Sequence, residues 1–229
     1  MRIFTTLQEI PFAGHPTIGS AHAVLESGFC AAPSGRLRQE CLAGIIELSV
    51  EKSELGERIF VRAPKAKITK LNETDSGRLA VALGASFAKA SAPLRVDVGV
   101  VWLVAELGDS QSVARLEPNL ESVLQLSLAT QAAGVTVFAR ANDGLARAHV
   151  RSFAPALGVA EDPVCGSGNA GIAAYLMHTG LINEFGFQYV ARQGMQVGRD
   201  DQVAVCVDGD DIMIGGYAVT CVDGTLRIA

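Results

Sequence analysis

The sequence predicts an α+β protein built from two like halves, each a curved sheet around a central helix. Three observations predict it. First, the chain repeats itself without a gap: residues 11–28 and 163–180 share Pro11/Pro163, Gly14/Gly166, Gly19/Gly171, Ala21/Ala173 and Gly28/Gly180 at a constant offset of 152 residues. Second, the segments around each copy run in one order, strand, glycine turn, helix, hairpins. Third, 229 residues suit two domains of roughly 100 to 120 residues each. Hydrophobic residues at 49% and charged residues at 19% fit a globular chain with a sizeable core and exclude a disordered one.

Each copy opens on a short strand, Arg2-Ile-Phe4 in the first and Arg151-Ser-Phe153 in the second, and a loop of slightly different length then reaches the proline. The helices that follow are rich in small residues: Gly19, Ser20, Ala21 and Ala23 in one, Ala170, Gly171, Ala173 and Ala174 in the other. Small side chains admit other backbone closely, so both read as central helices rather than surface helices with one apolar stripe. Gly28 and Gly180 end them. Strands are expected at 44–51 and 58–63 after the first helix, and at 187–192, 202–208 and 211–222 after the second, with Asp208-Gly-Asp-Asp as a hairpin turn. Residues 76–83 and 119–131 read as surface helices, and 94–107 and 135–140 as buried strands. The domain boundary is placed near Pro93, giving domains 1–93 and 94–229.

A net charge of −5, with no run of Lys and Arg longer than a pair, excludes the basic footprint of a nucleic-acid binder. The longest apolar stretch, 98–107, falls far short of the ~20 residues of a membrane-spanning helix, and no signal-type apolar segment follows Met1. A cytoplasmic protein is expected. The five cysteines are odd in number and form no C-x-x-C pair, so neither a disulfide framework nor a zinc site is indicated. Four of them read as buried thiols acting as small hydrophobes, with Cys165 the exception.

In both copies a glycine turn delivers the chain into a helix whose first amides point outward, backed by the positive end of the dipole. That is an anion site twice over. If the two helix starts face each other across a cleft, a small carboxylate held between them is reached from opposite sides by equivalent positions: Ala13 against Cys165, and His15 against Ser167. Opposed acid and base groups are what a proton transfer between carbon centres needs. Ala13 excludes a symmetrical two-thiol racemase and leaves His15, Cys165, Ser167 and Glu161-Asp162 as the reactive inventory. Plainer readings stand beside these: His15 as a local hydrogen-bonding residue of a tight turn, Asp162 as a helix-entry cap, Ser167 as a donor to substrate or backbone. Cys165 is either a thiol activated by the helix start or an inert buried one. His22, His149 and His178 have no partners in sequence and read as surface or core residues.

These segments resemble the phenazine-biosynthesis isomerase (PhzF-like) family: Arg2-x-Phe-Thr5, Glu9-x-Pro-Phe-Ala-Gly-His-Pro-Thr-Ile-Gly19, Arg151-x-Phe-x-Pro155 and Glu161-Asp-Pro-Val-Cys-Gly-Ser-Gly-Asn169. The wider superfamily of diaminopimelate epimerase and proline racemase is similar, with Cys-Gly-x-Gly turns at both helices; here the thiol is kept only at Cys165. The resemblance implies a diaminopimelate-epimerase-like fold of two pseudo-symmetric domains, each a mixed, barrel-like sheet around a central helix, often as a homodimer. It implies no metal and no organic cofactor. The family reaction moves a proton between ring carbons of a dihydro-hydroxyanthranilate, and the family residues lining that site match His15, Asp162 and Ser167. Family members carry about 45 to 50 residues ahead of the Arg-x-Phe-Thr strand, including an Asn-x-Ser-Glu-type segment whose glutamate is the general acid/base. That glutamate has no counterpart in this sequence, so an incomplete first domain and weak or absent ring isomerisation are expected.

The function expected is therefore a PhzF-like isomerase moving a proton on a small carboxylate. His15 and Asp162 act as acid/base or orienting groups and Ser167 as hydrogen-bond donor, while Cys165 and the helix-turn amides at Gly14, Gly166 and Gly168 hold the anion. One alternative is a one-thiol racemase- or dehydratase-like enzyme with Cys165 as base; another is a non-catalytic binding protein on the same scaffold.

Overall fold

A computed structural model describes residues 1–4, 9–10, 12–54, 56–88, 92–141, 144–225 and 227. Its contacts divide the chain into two compact units, residues 1–61 with 215–229 and residues 62–214.

In the first unit β1 (Ile3–Phe4) and β2 (Glu9–Ile10) pair antiparallel, and α1 (Gly14–Glu26) follows. β3 (Arg36–Cys41), β4 (Gly44–Ser53) and β5 (Gly56–Arg62) then form an antiparallel meander. Ala21 of α1 packs with Leu48, Ile59 and Val61 of the sheet, and Ile18, Leu25, Leu37, Ile46 and Val50 close around them. The expectation that α1 is a central helix is overturned. Only Thr17 and Ala21 of it are buried, and Gly19 and Ala23 lie exposed, because a three-stranded meander offers one face and cannot surround a helix. Buried Thr17 is satisfied by donating to Ala13 O at 2.8 Å and accepting from Gln39 Nε2 at 3.1 Å. At the far end Gly28, at φ +69°, makes the left-handed exit that a side chain disfavours. The strand expected to reach 222 stops at Gly216; the described residues beyond it run without regular structure, Tyr217 meeting Ser53 Oγ through its hydroxyl at 3.0 Å.

The second unit contains β6 (Lys67–Lys70), α2 (Glu73–Leu83), β7 (Leu94–Asp97), β8 (Val101–Glu106), α3 (Ser110–Ala114), α4 (Leu120–Thr130), β9 (Gly134–Arg140), β10 (Ala148–Ala154), β11 (Val159–Asp162), α5 (Gly166–Thr179), α6 (Ile182–Phe185), β12 (Gln188–Gln193), β13 (Asp201–Asp208) and β14 (Asp211–Gly216). Its strands lie in the order β14-β13-β12-β10-β9-β8-β7-β6, with β11 paired to β10. The sheet is mixed: β8–β9 and β10–β12 run parallel, while β6–β7, β7–β8, β9–β10 and β12–β13 run antiparallel. Residue 93, where a domain boundary was expected, falls inside this unit, between the paired strands β6 and β7. The apolar run 94–107 is two strands, because Gly99 at φ +86° turns the chain and donates its amide to Asp97 Oδ1 at 2.9 Å.

Both faces of this sheet are covered at β8 and β9, which is why these two strands read as near-continuous apolar runs rather than alternating ones. Trp102, Val104, Phe138 and Val150 face α5, which is buried from Gly168 to Leu176. Leu103, Ala105, Val135, Val137 and Phe153 face α2 and α4. Gly171 lets α5 settle on the sheet, since a Cβ there would stand 3.4 Å from Val104 Cγ2. Here the reading of a small-residue helix as a central one holds. The two outer helices start on asparagine caps, Asn72 accepting from the Asp75 amide and Asn119 from the Ser122 amide. Among the described residues no helix is long and apolar enough to cross a membrane.

Candidate functional site at the heads of the repeated helices

The repeat is legible inside each unit as the same side-chain fork. In the first, β1–β2 sets Ile3 opposite Ile10; Arg2 Nε and Nη2 donate to the two Glu9 oxygens at 2.9 and 2.8 Å, and its guanidinium lies 4.9 Å from the Phe4 ring centre. In the second, β10–β11 sets Ser152 opposite Asp162; Arg151 Nε and Nη2 donate to Glu161 at 2.8 and 2.7 Å, with Phe153 at 5.0 Å. Each fork leads through a proline into a helix, with Ala13 as N-cap of α1 and Cys165 as N-cap of α5. The forks differ in surroundings. Arg151 is buried and its Nη1 also donates to Val113 O and Leu116 O, at 3.2 and 2.6 Å, whereas Arg2 is exposed.

At the head of α5 a dense polar network fixes the turn. Asp162 ends β11, its Oδ1 accepting the Val164 amide at 3.1 Å and its carbonyl accepting Gln193 Nε2 at 2.7 Å. The helix-entry cap expected of Asp162 is made instead by Cys165, whose Sγ accepts the Gly168 amide at 3.3 Å. Fully buried Gln193 accepts from the Cys165 amide at 3.3 Å and from Asn169 Nδ2 at 3.0 Å, and that Nδ2 also donates to Cys165 O at 2.9 Å. Trp102 Nε1 donates to Ser167 Oγ at 3.0 Å, and Ser167 Oγ lies 3.7 Å from Cys165 Sγ. Behind the turn Thr136 and Ser152 share a hydrogen bond of 3.0 Å.

For the thiols, one open reading is narrowed and one expectation changes. Burial, reinforced by the neighbouring Asp162 charge, pushes the Cys165 thiol up to about 12, so the helix start does not activate it. Cys165 is also the one fully buried cysteine: Cys30, Cys41 and Cys206 are half-buried and Cys221 is exposed, the reverse of the expected pattern.

Of the expected site residues, Asp162, Cys165, Gly166, Ser167 and Gly168 gather at the head of α5, and Gly14 and His15 form the first turn of α1 in the other unit, with His15 exposed. The Gly168 amide, expected to face a ligand, is taken by Cys165 Sγ, while those of Gly166 and Ser167 lie ahead of any intrahelical acceptor. Gly168 is instead required by packing: a Cβ would stand 2.8 Å from Thr136 Oγ1 and 2.9 Å from Ser152 Oγ. Trp102 and Gln193 were missed. Nothing in the sequence aimed either at the turn: Trp102 reads as one more apolar residue of its strand, and Gln193 stands in a strand that also carries Gln188 and Arg192. Among the described residues no group of three or more His, Cys, Asp and Glu side chains is placed to hold a metal.

The chain matches the family described as Phenazine biosynthesis-like protein over residues 1–224. Antisense-enhancing sequence 1 of Schizosaccharomyces pombe is 36% identical over 234 residues, covering 98% of this chain and 78% of that protein. An uncharacterized isomerase of Clostridium acetobutylicum is 28% identical over 232 residues, covering 96% and 76%. Among solved structures, a PhzF-family phenazine biosynthesis protein of Bacillus anthracis aligns with a TM-score of 0.81 at 23% identity, over 94% of this chain and 76% of that one. A hydroxyproline epimerase of Agrobacterium vitis aligns with a TM-score of 0.60 at 16% identity, over 93% and 65%. The expected α+β, diaminopimelate-epimerase-like fold is thereby shown. The chain belongs to the phenazine biosynthesis-like (PhzC-PhzF) family.

Proposed function

We propose that the protein is an isomerase that moves a proton on a small carboxylate by acid/base catalysis. Asp162 and His15 are the acid/base pair, Ser167 donates to the substrate, and the amides of Gly14, Gly166 and Ser167 hold its carboxylate. The observation that carries the reading is the gathering of Asp162, Cys165 and Ser167 at the head of α5, in the second copy of a repeat whose first copy puts His15 at the head of α1. The isomerase names of relatives such as the Clostridium acetobutylicum protein support the reaction class. A one-thiol mechanism is less well supported, because a thiol pushed up to about 12 holds its proton at neutral pH and is a poor base.

The test is solvent deuterium incorporation into carboxylate substrates, beginning with the dihydro-hydroxyanthranilate of the family reaction. His15→Ala and Asp162→Asn should each lower exchange by about 10²-fold or more with the circular dichroism spectrum unchanged, while Cys165→Ser retains most of it. Exchange surviving both acid/base substitutions and lost with Cys165→Ser would transfer the role to the thiol.

A further inference from the structure

We infer that Trp102 is a positioning residue that fixes the orientation of the Ser167 hydroxyl, turning its proton toward the ligand side so that Ser167 serves there as donor to an acceptor group, a carboxylate or carbonyl oxygen. The inference rests on the proposed carboxylate reading and deepens it.

The indole N–H can only donate. At 3.0 Å from Ser167 Oγ it occupies one lone pair of that oxygen, so the serine proton must point elsewhere. The protein offers a poor alternative. Cys165 Sγ, at 3.7 Å, is a weak acceptor already engaged by the Gly168 amide. Ser167 is half-buried, so its O–H is left facing what enters the turn. The arrangement is rigid because Trp102 is 2% exposed, locked in β8 among Val104, Phe138 and α5. A hydroxyl without such a partner rotates freely; one whose oxygen is held by a donor-only neighbour keeps one O–H and one lone pair, and its proton, turned away from the indole, favours an acceptor in the turn. The amides of Gly166 and Ser167 add two further donors, so the whole turn presents donors to one oxygen-rich group.

The chain has one tryptophan, so an indole-¹⁵N-labelled sample gives a single side-chain cross-peak that reads this hydrogen bond directly. The probes are anthranilate, which carries a carboxylate, and aniline, which keeps the ring and amine without it. Anthranilate should move the wild-type peak saturably, and aniline at the same concentrations should not. Ser167→Ala should shift the peak in the free protein and weaken anthranilate about tenfold, and Trp102→Phe should weaken it about fivefold, the loss of one hydrogen bond in each case. Binding to the variants is followed by calorimetry, with thermal unfolding confirming the fold. If Trp102→Phe unfolds the protein, the shift of the indole peak in Ser167→Ala and the wild-type comparison of the two probes decide together. No saturable shift with anthranilate in the wild type would overturn the carboxylate reading and this inference with it. Anthranilate binding that depends on Ser167 but is unchanged in Trp102→Phe, or aniline moving the peak equally, would overturn the orientation assignment and leave the carboxylate reading standing.

Discussion

At the scale of single residues, identical motifs carry unequal energy because their surroundings differ. Glu161 and Glu9 occupy equivalent places and make equally short forked pairs, yet Glu161 is one-tenth exposed with a buried arginine partner, whereas Arg2 is 72% exposed. Removing one member of a buried pair strands a desolvated charge, so Glu161→Gln should lower stability by about 3 kcal/mol. Glu9→Gln should leave the denaturant midpoint nearly unmoved, because solvent screens the exposed arginine. Chemical unfolding of the two variants checks both. Cys165 gives a pH signature with a definite sign. Its folded value is raised from 9.0 to about 12, so above pH 9 the unfolded chain ionises while the folded one keeps its proton. Stability from this group is whole below pH 9 and drains away as pH rises toward 12. Cys165→Ser should flatten that part of the stability profile. Buried Tyr189, also raised by burial, keeps its own share of the alkaline loss in both proteins.

At the scale of elements, the sequence was readable where local chemistry decides and opaque where neighbours decide. Asn72, Asn119, Gly28 and Gly180 mark helix ends by their own hydrogen bonding or φ, and the helices were placed within a few residues. The small-residue composition of α1 and α5 looked alike, but whether such a helix is engulfed depends on how much sheet surrounds it; α5 meets a wide covered sheet and α1 a three-stranded meander. β3 escaped notice because its sequence, Arg-Leu-Arg-Gln-Glu-Cys, puts little apolar weight on either face. The turn inside 94–107 was hidden because Val98 and Val100 flank Gly99 and keep the run apolar. Glycines separate the two kinds of information again. Gly168 is tight against Thr136, Ser152 and Cys165, while a methyl group at Gly14 meets nothing within 4 Å. Gly168→Ala should therefore cost about 1–3 kcal/mol by overpacking, and Gly14→Ala should be neutral or slightly stabilising, as thermal unfolding can show.

At the scale of the whole molecule, the candidate site was legible to the extent that it is repeated. His15, Cys165 and Ser167 stand in copies that align without a gap, and Asp162 directly precedes the second, whereas Trp102 and Gln193 reach the same turn from strands 65 and 28 positions away, a proximity that only folding creates. The two units also differ in core. The first holds four buried residues in its cluster and the second has two extensive clusters, so the first should open at lower free energy. Amides of β3 to β5 should exchange with solvent faster than those of β8 to β10. This difference offers a test of whether one ligand uses both helix heads. A ligand that binds only the closed form stabilises whatever must be closed to bind it, by about 2.7 kcal/mol at a hundredfold excess over Kd. If the carboxylate is held by α1 and α5 together, saturating anthranilate should slow exchange in the first unit about 100-fold, alongside protection of residues 162–168. Protection confined to the second unit would show that α5 binds the carboxylate alone and would remove His15 from the reaction.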